Sequence, residues 1–154
     1  MIFLKNCWYA AMWSEALPGK TLVARTLLDE PLIFFRDVAG LPVAMDDMCP
    51  HRLAPLRLGK LTTEGRVQCG YHGLEFASDG QCVKNPHGSG NITPGCRVKT
   101  YPLQEKHTLV WIWMGSAWQA GLVHSNRHTR ATRRAHQERF GALEKSRDRR
   151  TYFG

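Results

Sequence analysis

The sequence predicts an all-β domain of small antiparallel sheets bearing two metal-binding loops over residues 1 to 115, then a basic tail over 116 to 154 that is disordered or weakly helical. Three observations carry that expectation. Short apolar runs alternate with tight turn signals along the first part of the chain. Two clips that each mix cysteine with histidine, Cys49-Pro50-His51 and Cys69-Gly70-Tyr71-His72, follow strand-like runs. After Gly115 the large apolar residues thin out and basic ones take over.

The elements follow in order. Phe3 to Trp13 is aromatic and apolar, and Leu17-Pro18-Gly19-Lys20 closes it with a turn. Thr21 to Leu28 is expected as a strand, Asp29-Glu30-Pro31 as a turn, and Leu32 to Arg36 as a strand whose unbroken apolar run implies burial on both faces. Asp37 to Gly40 reverses the chain, after which Leu41, Val43 and Met45 alternate as a half-buried strand should. Leu61 to Arg66 is a polar spacer and Val67-Gln68 a short strand leading into the second clip. Leu74 to Ala77 and Gln81 to Lys84 flank Ser78-Asp79-Gly80, a hairpin signal because Asp-Gly tolerates positive φ, so the second clip is expected on a β-hairpin. Asn85 to Gly95 is expected as a surface loop that covers the site through Pro86. Val98 to Leu103 and Thr108 to Met114 complete the sheets, with Trp111 and Trp113 sharing one core-facing side.

Length and composition bound the answer. A chain of 154 residues suffices for one domain with a sizeable core. The net charge of +8 is unevenly placed: residues 1 to 115 hold 12 Lys and Arg against 10 Asp and Glu, whereas 116 to 154 hold 9 against 3. Asn126 to Arg150 has only Phe140 and Leu143 as large apolar groups, with no apolar stripe and no aromatic-interleaved basic motif. That composition speaks for a solvated tail and against nucleic acid or a membrane as partner. Ile2-Phe3-Leu4 is interrupted by Lys5, so no signal peptide or span is expected, and the location expected is cytoplasmic. Of five cysteines, Cys7, Cys82 and Cys96 lie outside the clips and are expected as small buried apolar residues.

The clips carry the chemistry. Cys49, His51, Cys69 and His72 bring two soft thiolates and two imidazoles, with one of each kind in either clip. Two ligand sets remain open: a structural Cys₂His₂ zinc site, or a [2Fe–2S] centre in which one iron takes the thiolates and the other the imidazoles. Zinc fingers group like with like, so the mixed clips favour the binuclear centre. Gly70 and Gly73 allow tight turns that let amide N–H groups approach cluster sulfur.

Cys49-Pro50-His51-Arg52, Ala54-Pro55-Leu56, Leu58-Gly59 and Cys69-Gly70-Tyr71-His72-Gly73 together resemble the N-terminal Rieske domain of aromatic-ring-hydroxylating oxygenase subunits. Asn6-Cys7-Trp8-Tyr9-Ala10 and Thr108 to Gly115 are similar to the vanillate O-demethylase branch. The resemblance implies a Rieske-type fold, a [2Fe–2S] cluster on Cys49, His51, Cys69 and His72, and one-electron transfer. It also implies a flavin or ferredoxin-type reductase as donor, other oxygenase subunits as partners, and mononuclear Fe(II) only in a catalytic domain that this chain lacks. Such a chain is not expected to oxygenate by itself. A free-standing Rieske ferredoxin is the alternative. Related oxygenases continue into a Gly-Asp-Pro-like turn, whereas this chain has Gly115-Ser116-Ala117-Trp118, which suggests a shifted reading frame or a gene truncation.

The resemblance also bears on potential. Rieske proteins of cytochrome bc complexes carry an extra cysteine in each clip, joined in a disulfide, and a serine and a tyrosine that donate hydrogen bonds to sulfur. Here no such cysteines occur, and Leu74 and Phe76 stand where the donors would be, so a reduction potential near −150 mV, roughly the low end of the Rieske range, is expected. Arg52 is expected as a loop cation, Tyr71 as a packed aromatic, His87 and His107 as surface histidines, and Glu75 and Asp79 as solvated hairpin residues. His124, His128 and His136 lie in the tail and are not assigned as ligands.

Overall fold

The computed structural model describes residues 3–117 and 119–120, and every element below belongs to the unit Met1–Ala117. The expectations for the tail, its weak helix and its three histidines lie outside the described residues. Eleven strands form three antiparallel sheets, as the sequence predicts. β1 (Cys7–Trp13), β11 (Leu109–Met114) and β10 (Leu103–Lys106) form the first, in that order. β2 (Val23–Leu27), β3 (Glu30–Arg36), β4 (Pro42–Asp46) and β9 (Thr100–Tyr101) form the second, and β5 (Lys60–Leu61), β6 (Val67–Gln68), β7 (Glu75–Phe76) and β8 (Cys82–Lys84) the third.

The middle sheet divides two cores. Alternation along a strand sends Leu32 and Phe34 of β3 to one face and Ile33 and Phe35 to the other, and all four are wholly buried. Leu32 and Phe34 join Val110, Ile112 and Met114 of β11, while Ile33 and Phe35 join Leu56, Val67, Phe76, Cys49 and Cys69. The unbroken apolar run is therefore a sequence reading that the structure bears out, and its consequence is local: the floor of the clips is the back of a fully covered sheet. Burying one such side chain contributes about 1.5–3 kcal/mol, so this strand anchors both layers.

Several elements differ from expectation. The β2–β3 turn is Leu28-Asp29 rather than Asp29-Glu30-Pro31; both residues adopt positive φ, 52° and 62°, the conformation a two-residue hairpin needs. Pro31 lies inside β3, where its carbonyl accepts the Asp47 N–H at 2.9 Å and no donor is demanded of its nitrogen. Leu41 is exposed and outside β4, and that strand is covered on both faces, with Ala44 in one core and Met45 in the other. Leu61, the first residue of the expected polar spacer, pairs with Val67 of β6 in the short strand it forms with Lys60. Trp111 is half-buried, and the core-facing residues of β11 are Val110, Ile112 and Met114. Trp113 is buried on the opposite face, edge-on to Trp8 with ring centroids 5.5 Å apart, its indole N–H donating to the Ser116 carbonyl at 3.0 Å.

Glu75 departs furthest from its expected role. It is buried, and Lys84, Gln68 and Arg66 donate to its carboxylate at 2.9, 3.1 and 3.4 Å. Burial works to raise its pKa, but those donors outweigh it and the net shift is downward. Asp79 does serve the hairpin: its Oδ1 accepts the Gln81 N–H at 2.9 Å, beside Gly80 at φ +84°.

Candidate metal centre

Each clip forms the same small loop, repeated. Cys49 N–H donates to the Ala54 carbonyl at 2.8 Å and Leu53 N–H donates back to the Cys49 carbonyl at 2.9 Å; Cys69 N–H donates to the Leu74 carbonyl at 2.8 Å and Gly73 N–H to the Cys69 carbonyl at 3.0 Å. The residue four positions after each cysteine takes positive φ, 56° at Leu53 and 71° at Gly73. The second loop is the tip of the β6–β7 hairpin, closed by the Gln68↔Glu75 pair, and the first follows β4. Both clips therefore rise from paired strands, which position their side chains.

The two loops touch through glycines. A Cβ on Gly59 would lie 2.0 Å from the Gln68 carbonyl oxygen, and one on Gly70 would lie 2.7 Å from that of Leu58. Gly70 thus serves close approach rather than a turn, and Gly59, which follows the short 3₁₀ turn Leu56–Leu58, is its counterpart. Asp47 fastens the first loop from beneath. Its buried carboxylate accepts the Arg57 N–H at 2.7 Å and pairs with the Arg57 guanidinium.

The four expected residues meet as two pairs, thiol near thiol and ring beside ring. Cys49 and Cys69 are buried, 1% and 2% exposed, with their thiols near enough to interact electrostatically. His51 is exposed and His72 half-buried, their ring centroids 4.8 Å apart at 70°. Burial, with the neighbouring Cys69 sulfur, pushes the Cys49 thiol up to about 11, against N–H groups of His51 and Arg52 that donate to its sulfur. Such a thiol stays protonated near neutrality unless a cation displaces the proton. His72 moves the other way: burial, then the electrostatic effect of His51, His87 and Arg52 around it, lower its pKa and favour the neutral imidazole that binds metal.

This donor set fits a binuclear centre better than a single ion. The two thiols are buried and the two imidazoles more exposed, so sulfur and nitrogen stand as separate pairs, as the two ends of a binuclear centre require. A family model described as the Rieske [2Fe-2S] domain matches residues 7–102. The chain belongs to that family.

Curated relatives agree with the Rieske assignment. The chain is 48% identical over 115 residues to the oxygenase component of dicamba O-demethylase from Stenotrophomonas maltophilia, covering 75% of this chain and 33% of that protein. It is 46% identical over 120 residues to the toluene-4-sulfonate monooxygenase system iron-sulfur subunit of Comamonas testosteroni, covering 77% and 34%. To the vanillate O-demethylase oxygenase subunit of a Pseudomonas species it is 37% identical over 114 residues, covering 74% and 31%. A crystal structure of dicamba monooxygenase superposes with a TM-score of 0.72 at 44% identity, covering 76% of this chain and 37% of that one. The chain thus spans about a third of the length of the curated relatives it matches.

The surroundings of this Rieske site hold residues that sequence reasoning placed only in part. His87 is exposed, as expected of a surface or satisfied histidine, and hydrogen-bonds through Nε2 to the His72 carbonyl at 2.7 Å, with its ring 5.9 Å from that of His72. The signal available was Asn85-Pro86-His87, because Asn85 Oδ1 accepts the His87 N–H at 3.1 Å and turns the loop back. Tyr71 is exposed, not packed in a core, and its ring lies 3.8 Å from that of His72. Pro86 meets Gly73, where a Cβ would lie 3.2 Å from its ring, and the loop borders a cleft of about 570 Å³ lined by His51, His72, His87, Asn91, Thr93 and Cys96. Leu74 and Phe76 are buried and apolar beside the cysteines, as expected. Cys7 and Cys96 are only half-buried, contrary to expectation, while Cys82 is buried. No helix among the described residues is long and apolar enough to cross a membrane.

Proposed function

We propose that Cys49 and Cys69 bind one iron of a [2Fe–2S] cluster, that His51 and His72 bind the other, and that residues 1–115 form the electron-transfer domain of an aromatic oxygenase component. The observation that carries this reading is the pairing of two buried thiols, one from each clip, with two more exposed imidazoles, one from each clip, whose ring centroids lie 4.8 Å apart. The cluster would supply one-electron transfer. The chain's own residues set the conditions for it. Buried cysteines keep one end away from water, exposed His51 sets the other end at the surface where a partner can approach, and N–H groups of His51 and Arg52 offset negative charge on sulfur.

The relatives are oxygenase components, which favours this role over a free-standing ferredoxin. A flavin or ferredoxin-type reductase is the donor this role requires, and an oxygenase catalytic domain with mononuclear Fe(II), on another polypeptide or a longer product, is the acceptor. Substrates would be aromatic compounds of the kind named for the relatives, such as dicamba, vanillate or toluene-4-sulfonate. The free thiols of the described residues accord with a cytoplasmic location. The test is anaerobic purification of the full chain, with iron and labile sulfide determined and the dithionite-reduced protein examined by electron paramagnetic resonance. About two iron and two sulfide per chain and a Rieske-type spectrum are expected. Zinc without sulfide would overturn the reading.

A further inference from the structure

A second pair of thiols lies beside the same cleft, with Cys96 in its lining. Segments 80–82 and 96–98 form a short antiparallel ladder: Gln81 is bridged to Arg97, Cys82 N–H donates to the Cys96 carbonyl at 3.0 Å, and Val98 N–H donates to the Gly80 carbonyl at 2.9 Å. That register sets Cys82 opposite Cys96, although the Cys96 N–H turns away to the Thr93 carbonyl at 3.0 Å. Opposed residues of an antiparallel ladder have Cα atoms roughly 4.5–5.5 Å apart, inside the range a disulfide spans. The two thiols are near enough for each to act electrostatically on the other, and both are free. Cys96 is half-buried and lines the cleft beside His51 and His72; Cys82 is buried behind it in the core that holds Cys49.

We propose that Cys82 and Cys96 form a reversible dithiol–disulfide site, distinct from the metal centre, that fastens the 83–95 loop beside the histidine-bearing clips when a small-molecule disulfide oxidises it. The exchange balances. The Cys96 thiolate attacks the oxidant's S–S bond and releases one thiol; the Cys82 sulfur then displaces the second from the mixed disulfide. Two thiols lose two electrons and two protons, and the oxidant leaves as two thiols. Cys96 reacts first because it lines the cleft, and Cys82 resolves because it is buried opposite Cys96, out of reach of the oxidant. The loop so fastened carries His87, which holds the His72 carbonyl, so the covalent tie reaches the clip through one hydrogen bond.

The experiment treats the full-length, metal-loaded chain with excess oxidised glutathione without air, then denatures it, alkylates it and maps the peptides. The expected result is a Cys82–Cys96 linked pair that lacks two hydrogens and takes no alkylating agent, is restored to two labelled thiols by dithiothreitol, and is lost in Cys96→Ser. Amide hydrogen exchange over 83–95 should slow on oxidation in the parent protein and stay unchanged in Cys96→Ser. Labelling of both thiols after oxidation, or a glutathione adduct on Cys96 that Cys82 never resolves, would overturn the proposal. Mass identifies this link whichever metal the clips bind, so its failure is separable from failure of the cluster reading.

Discussion

Replacing Gly59 with alanine tests the claim that the two clips face each other through a glycine contact. The added Cβ would sit 2.0 Å from the Gln68 carbonyl oxygen, 1.0 Å inside the 3.0 Å that real Cβ contacts keep, and 3.1 Å from the Gly70 nitrogen. Those neighbours are backbone, and Gln68 is paired with Lys60 in the third sheet, so no flexible side chain can move aside. The loops must part by about 1 Å or β5 must leave β6. Overpacking of this kind costs about 1–3 kcal/mol or more, a sizeable share of a total stability of roughly 5–15 kcal/mol. A Tm lowered by about 5–15 °C follows. A ligand set also tolerates only about 0.5 Å of displacement, so iron and sulfide content should fall well below that of the parent even at temperatures where the domain is folded. Gly19→Ala is the control, since nothing lies within 4 Å of the Cβ it would add. Differential scanning fluorimetry and metal analysis give the two readouts. Gly59→Ala with parental Tm and full cluster content would refute the contact.

Other perturbations follow from the same geometry. Asp47→Ala removes two hydrogen bonds at the first loop and takes the acceptor from both the Arg57 N–H and its half-exposed guanidinium, so a loss of about 1–3 kcal/mol is expected in denaturant titration; an unchanged midpoint would contradict it. Burial works to raise Glu30, but hydrogen bonds from Lys5, Tyr101 and Lys99 prevail and bring it down to about 2. Its folded pKa lies below its unfolded one, so its contribution is present above about pH 4.5 and is lost as pH falls toward 2. The Tm gap between the parent and Glu30→Gln should therefore narrow over that range, and a gap independent of pH would count against the pairing. With Leu74 and Phe76 apolar against the cysteines, equilibrium redox titration should return a potential near −150 mV, roughly the low end of the Rieske range, and a value well above zero would rule out that account. Cys49→Ser should abolish cluster assembly, seen as loss of iron, because a hydroxyl does not replace the thiolate; retained iron and sulfide would remove Cys49 from the ligand set.

Local chemistry was legible wherever a residue type has few uses. Mixed Cys and His clips have few uses besides metal, Asp79-Gly80 wants a tight hairpin, and four consecutive large apolar residues at Leu32 to Phe35 must be covered on both sides. Positions with several local solutions misled. Pro31 suggested a turn, yet the positive φ of Leu28-Asp29 moved the reversal two residues earlier, and a proline fits a strand where only its carbonyl is needed. Glu75 looked solvated because a carboxylate in a hairpin normally is, and its three donors come from β6, from β8 and from Arg66, which no local window brings together.

The order of residues along the chain was by itself enough to determine the donor chemistry, the strand-and-turn character and the break in composition after Gly115, since each depends on neighbours within a few positions. Only the tertiary structure decided what meets across distance: β3 as the wall between two cores, Gly59 against Gly70, His87 on the His72 carbonyl, and Cys82 opposite Cys96. The physical reason is that such contacts are set by strand register and packing, and a shift of one residue in either would send each of these side chains to the opposite face.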